Sequence, residues 1–290
     1  MLVALLALLS AADKSPPADD FVERVNRPVA LTVPGMDRVQ VLADRPYGPG
    51  DKAHRFDAYL PERGAGAAPV VLLVHGGVGA DVPFRPKDWG IYRSWGRLLA
   101  ASGYVAIAFN HRLGFPDPML AEADQDLTAI LETVRAQARS LGADPSRIAL
   151  VAFSAGGPLL ARPLRQDLPG VRALAGFYPF LDLRKSPLHQ KYLKPEAVTA
   201  FSPAAQLRTS VARRMPFFLA RAGKDAIPDI LPGIDSFVAE SLAAGTPLTL
   251  FNHPEAPHGF DHDPDPRTRE VLLAFLAFLG THLSPGAAPG

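Results

Sequence analysis

Residues 142–157 read GADPSRIALVAFSAGG. Their apolar part, 148–153, predicts a strand that passes without a spacer into Ser154-Ala155-Gly156-Gly157. Ala152 and Gly156, two residues before and two after the serine, are small enough for a strand and a following element to pass closely at a sharp turn. Such a turn lifts a serine hydroxyl to the carboxyl end of a strand.

Strand-like runs continue on either side. An edge-like run covers 56–60, and 70–75 (VVLLVH) is a continuous apolar stretch suited to a strand buried on both faces. Further strands are expected at 105–110, 171–177, 216–220 and 248–251. Helical patterns lie between them at 92–101, 122–141, 230–244 and 267–282. In the second of these, apolar residues at 127, 130, 131, 134, 138 and 141 repeat with a period near 3.6 and stop at Gly142. This alternation predicts an α/β fold, doubly wound, with a mostly parallel sheet and helices on both faces. It reads as a single domain over 13–283, and ligands of such sheets bind beyond the carboxyl ends of the strands.

Three features fall at those ends. The first is Ser154, a weak nucleophile unless it is exposed beside a base; taken alone, the pentapeptide also fits a buried serine capping a helix. The second is His75-Gly76-Gly77, whose glycine amides could approach a substrate oxygen, though a plain glycine turn fits as well. His75 itself reads as a strand-end or core histidine. The third is the pair Asp225 and His258, each after a late strand, the types needed to take a proton from the serine and to orient the imidazole. Asp229 and Asp235 compete with Asp225, and His253 and His262 with His258. The chain order serine, aspartate, histidine is that of the α/β hydrolases.

On these motifs the chain resembles the α/β-hydrolase superfamily, near its carboxylesterase and dienelactone-hydrolase-like members, over about residues 56–283. Residues 201–205 (FSPAA) and His258-Gly259-Phe260 are similar to segments of family esterases. The resemblance implies Ser154 as nucleophile, His258 as base, Asp225 as acid, and the amides of Gly76, Gly77 and Ala155 as oxyanion donors. Three positions depart from the pattern. Ala152 stands where G-x-S-x-G has its first glycine, and Val78 follows Gly77 where hormone-sensitive-lipase-like esterases extend the glycine run. The cysteine nucleophile of dienelactone hydrolases proper has no counterpart in a chain without cysteine.

Composition removes other classes. The chain has 290 residues, enough to bury roughly three quarters of its unfolded surface without staples. With 30 Lys+Arg against 29 Asp+Glu and no basic run, it lacks the footprint of a nucleic-acid binder. The absence of cysteine excludes disulfides, Fe–S clusters and Cys-ligated zinc. Gly77-x-Gly79 is not completed by a third glycine at position 82, which removes a dinucleotide site. The run 253–265 (HPEAPHGFDHDPD) has the residue types of a metal site but reads as solvated loop charge, because Pro266 and Leu272 stand where a calcium loop needs glycine and glutamate. No cofactor is expected.

Residues 1–12 (MLVALLALLSAA) are too short to span a bilayer and fit a signal peptide, though without a basic n-region; export is the expectation that follows, and a cytoplasmic protein otherwise. No later segment is an integral membrane span, and 284–290 reads as a flexible tail. Residues 178–213 lie where this fold inserts a small cap. Phe180, Leu183, Leu188, Tyr192 and Phe201 would roof a pocket there, or pack as ordinary loop. Phe84, Trp89, Tyr92 and Trp95 would line the same pocket or pack the next helix. The expected activity is hydrolysis of a small-molecule carboxylic ester or lactone through an acyl-enzyme. The alternatives are a peptidase on this fold and a non-catalytic binding protein that retains it.

Overall fold

In the computed structural model, residues 23–49, 54–62, 66–77, 85–114 and 118–285 are described. The apolar run at 1–12 and Phe84 lie outside them. Eight strands form one sheet in the order β1-β2-β4-β3-β5-β6-β7-β8. They are β1 (Gln40–Pro46), β2 (Arg55–Leu60), β3 (Ala68–Val74), β4 (Val105–Phe109), β5 (Ala143–Phe153), β6 (Val171–Phe177), β7 (Phe217–Ala222) and β8 (Leu248–His253). From β4 through β8 all neighbours run parallel, whereas β1 and β2 are antiparallel additions at one side. The helices of eight or more residues are α1 (Gly90–Ala101), α2 (Leu120–Ala136), α3 (Ile230–Ala244) and α4 (Pro266–Leu283). Among the described residues, no helix is long and apolar enough to cross a membrane.

The alternation of side chains along a strand divides the core into two layers. Val70, Leu72 and Val74 of β3 face one side, with Leu127 and Ile130 of α2 and Ile234 and Phe237 of α3. Val71 and Leu73 face the other, with Trp95 and Leu98 of α1 and Leu272 and Phe275 of α4. This is why the central strands read as unbroken apolar runs: both of their faces are covered.

Two expectations change. The run at 56–60 is not an edge, because β1 pairs outside it, Val41 opposite Tyr59. β1 is mostly exposed and its register shifts between Leu42 and Arg45, where Asp44 takes a left-handed φ of 53°, so no apolar alternation announces it. In addition, β5 starts at Ala143, five residues before the apolar run, since Ala143 and Asp144 already pair with Ala68 and Pro69.

Candidate active site

β5 delivers Ser154 with φ 51°, a left-handed conformation that a side chain adopts only under local strain. Ala152 remains in extended β5, paired with Val74 and Gly176, which is why the missing first glycine costs the turn nothing. The close approach comes after the serine: a Cβ on Gly156 would stand 2.6 Å from the His75 carbonyl oxygen. The segment that follows is a 3-10 turn (Ser154–Leu160). Pro158 has no N–H to bond the Ser154 carbonyl, which accepts instead from the Phe180 amide at 3.0 Å. α-Helix follows at Ala161–Arg165.

The His75-Gly76-Gly77 loop packs directly on this turn. A Cβ on Gly76 would lie 3.1 Å from the Ser154 Cβ, and one on Gly77 would lie 3.2 Å from the Ala155 Cβ. The Gly76 amide, one of the expected oxyanion donors, donates to the Tyr92 hydroxyl at 3.1 Å. His75 braces the loop from inside. Its Nδ1 donates to the Gly76 carbonyl at 2.7 Å while Nε2 accepts from the His111 amide at 3.2 Å. Burial pushes the His75 pKa down to about 4, so the ring is neutral and structural.

Asp225 and His258 meet across the ends of β7 and β8. Asp225 is buried, and its Oδ2 accepts from His258 Nδ1 at 2.7 Å while Oδ1 accepts from the Ile227 amide at 3.0 Å. A carboxylate can only accept, so His258 Nδ1 carries the hydrogen of this bond. The competing residues are engaged elsewhere. Asp229 accepts from the Ser186 hydroxyl and Asp235 pairs with Arg221. His253 pairs with Asp265 and His262 with Asp263.

Sequence reasoning missed the residues behind the histidine. Tyr178, at the end of β6 with φ 41°, sets its ring edge-on to His258, centroids 4.6 Å apart. Its hydroxyl donates to Asp261 Oδ1 at 2.7 Å, and the Trp95 indole donates to Oδ2 at 2.6 Å. Burial and the neighbouring Asp261 raise the Tyr178 phenol pKa well above the usual range, so it remains a donor. Asp261 lies three residues after His258 and anchors that loop to the core; the one signal for it was its place in the acidic run at 253–265.

Ser154, Gly76, Gly77, Ala155 and His258 line one cavity of about 500 Å³. Its walls are mostly apolar. Trp89, Tyr92 and Leu113 line it, as do Phe180, Leu188 and Tyr192 from the segment expected to form a cap. Leu183 is instead buried in the core, Phe201 packs against that core, and Trp95 is buried among Phe153, Phe177 and Phe275.

The BD-FAE family model matches residues 56–162, from β2 through the serine turn. A probable isoprenylcysteine alpha-carbonyl methylesterase of Oryza sativa subsp. japonica is 32% identical over 154 residues, 47% of this chain and 33% of its own length. The isoprenylcysteine alpha-carbonyl methylesterase of Arabidopsis thaliana is 31% identical over 118 residues, 39% of this chain and 25% of its own. The chain thus spans about a third or less of the curated relatives it matches. Among solved structures, an inhibited esterase B from Lactobacillus rhamnosis superposes with a TM-score of 0.73 at 20% identity, covering 95% of this chain and 96% of that one. Brefeldin A esterase, a bacterial homologue of human hormone sensitive lipase, gives 0.65 at 20% identity, covering 98% and 86%. Sheet order and these structural likenesses together give the chain the α/β-hydrolase fold, and its segment 56–162 is similar to the BD-FAE family.

Proposed function

We propose that the chain hydrolyses carboxylic esters, lactones included, through a serine acyl-enzyme. The observation that carries this reading is the 2.7 Å bond from His258 Nδ1 to buried Asp225, beside a serine held at φ 51° in the wall of the same cavity. His258 Nε2 takes the Ser154 proton as Oγ attacks the carbonyl, and Asp225 stabilises the imidazolium that forms. The amides of Gly77 and Ala155 receive the tetrahedral oxyanion; Gly76, tied to Tyr92, holds the loop in place. The imidazolium returns its proton to the leaving alcohol. Water, deprotonated by His258, then releases the acid. The esterase names of the relatives and structural neighbours support the same chemistry.

Hydrolysis of p-nitrophenyl esters from acetate to dodecanoate, by the wild type and by Ser154→Ala, tests this directly. Turnover of the short esters that Ser154→Ala abolishes supports the reading, as does labelling of Ser154 by a fluorophosphonate. Equal activity in both proteins would refute Ser154 as nucleophile, and a folded, unlabelled, inert wild type would refute the ester reading.

A further inference from the structure

Besides His258 and His262, a further histidine lines the cavity, one that the serine mechanism does not use. His189 sits on a helical turn (Pro187–Tyr192) of the cap segment, is 9% exposed, and lines the same cavity as Ser154. The Ser186 hydroxyl lies 2.8 Å from His189 Nδ1 and donates to Asp229 Oδ2 at 2.9 Å.

These two bonds determine where the ring carries its proton. A serine has one hydroxyl hydrogen, and here it goes to the Asp229 carboxylate, which can only accept. Toward His189 the same oxygen can therefore only accept, so Nδ1 carries the hydrogen. Burial lowers the His189 pKa to about 4, against a smaller opposing pull from Asp229, and the ring is neutral near pH 7. Nε2 is consequently a bare acceptor. Among the described residues it has no protein partner; His189 lines the cavity with its ring 5.0 Å from that of Phe180, and Leu188 and Tyr192 of the same turn line it too.

We infer that His189, held by Ser186 and Asp229, is a specificity-determining residue whose Nε2 accepts a hydrogen bond from a hydroxyl on the ester substrate, so that hydroxylated esters are the substrate class this cavity selects. The inference rests on the ester-hydrolase reading above. Its physical basis is asymmetric. A methyl group lodged at Nε2 leaves a buried lone pair unpaired, whereas a hydroxyl of the same size satisfies both partners. Asp229, weighed from the sequence as a rival acid for His258, thus acts in the cap, through Ser186, as a positioning residue.

The test uses isosteric ester pairs that differ by a methyl or a hydroxyl at one position, followed by pH-stat. On the acyl side these are methyl 3-methylbutyrate with methyl 3-hydroxybutyrate, and methyl heptanoate with methyl 6-hydroxyhexanoate. On the alcohol side the pair is pentyl butyrate with 4-hydroxybutyl butyrate. The readout is the ratio of kcat/KM for the hydroxyl member over the methyl member within one protein, which is insensitive to the fraction of a variant that folds. For at least one pair the ratio should fall roughly tenfold in His189→Phe. It should recover in part in His189→Gln, which keeps a polar group near the Nε2 position, and be intermediate in Ser186→Ala. The pair that responds assigns the hydroxyl to the acyl or the alcohol side. Ratios for His189→Phe within twofold of wild type in every pair overturn the inference while leaving the esterase reading intact. A wild type that cleaves no member of any pair overturns both.

Discussion

The His258 imidazole lies against the edge of the Tyr178 ring at 4.6 Å and 62°, and Tyr178 is held in turn by buried Asp261, three residues beyond that histidine. The His258 ring is therefore supported from two sides, by Asp225 through Nδ1 and by a chain of contacts returning to its own loop. Tyr178→Phe keeps the ring and removes one donor from a buried carboxylate that retains Trp95 as its other. It should cost about 1.5–3 kcal/mol of stability in urea unfolding and lower kcat by less than about tenfold. Tyr178→Leu, which also removes the ring edge, should lower kcat further at similar KM. Wild-type stability of Tyr178→Phe would show that Asp261 does not depend on this hydroxyl.

Asp225 and Asp235, ten residues apart, provide a matched comparison. In Asp225→Asn the group facing Nδ1 no longer demands a donated proton, so the imidazole loses the tautomer in which Nε2 is basic. kcat for p-nitrophenyl butyrate should fall by roughly 10³–10⁴, with the fold unchanged by circular dichroism. Asp235 forms a solvent-exposed pair with Arg221, and Asp235→Asn should keep kcat within about twofold. Similar losses in both would remove Asp225 from its assigned role.

The contrast between these residues shows what the sequence could reveal. Ser154, Asp225 and His258 each follow an apolar strand whose periodicity is plain, so their positions could be read from pattern and order. β1 could not, because an exposed strand with a register shift carries no alternation. Tyr178 and Tyr92 act through ring edges and single hydroxyl bonds, and nothing about an isolated tyrosine distinguishes that from core packing. The relay from Asp229 through Ser186 to His189 joins residues 43 positions apart in a segment of short helical turns, so no local motif encodes it.

Tyr92 holds the Gly76 amide at 3.1 Å, and this makes the identity of the oxyanion donors testable without altering a glycine. Burial raises the Tyr92 pKa above its usual value, so the phenol is neutral when it accepts that amide. Tyr92→Phe preserves the ring packing against Phe153 but leaves the Gly76 N–H unpaired and the loop less constrained. If Gly77 and Ala155 are the donors, kcat should fall by about three- to tenfold, since part of one interaction of the kind that sustains the oxyanion is lost through loop disorder. A rise in kcat would mean instead that the released Gly76 amide joins the oxyanion site, and the donor assignment would have to change.

Three buried histidines, the stacked pair His75 and His111 and His189 of the cap segment, predict how stability responds to acid. Burial lowers the His75 pKa to about 4, lowers His111 well below its ordinary value, and lowers His189 to about 4. Between pH 6.5 and about 4 the unfolded chain therefore binds protons that the folded chain does not. Stability is fully present above the unfolded pKa and is lost as pH falls through this window, each ring contributing a slope of up to about 1.4 kcal/mol per pH unit. His111 isolates one share of that slope. Its ring stacks on His75 at 3.6 Å with both nitrogens buried and, among the described residues, without a hydrogen-bond partner, while its backbone amide makes the bond to His75. His111→Phe retains a flat ring and that amide but removes a titrating group and two unpaired polar atoms. Urea unfolding at pH 7.0, 5.5 and 4.5 should give a variant at least as stable as wild type at pH 7, with an acid slope shallower by about 1 kcal/mol per pH unit. An unchanged slope would mean that His111 takes up its proton in the folded state, and the stacked pair would then have to accommodate a buried charge.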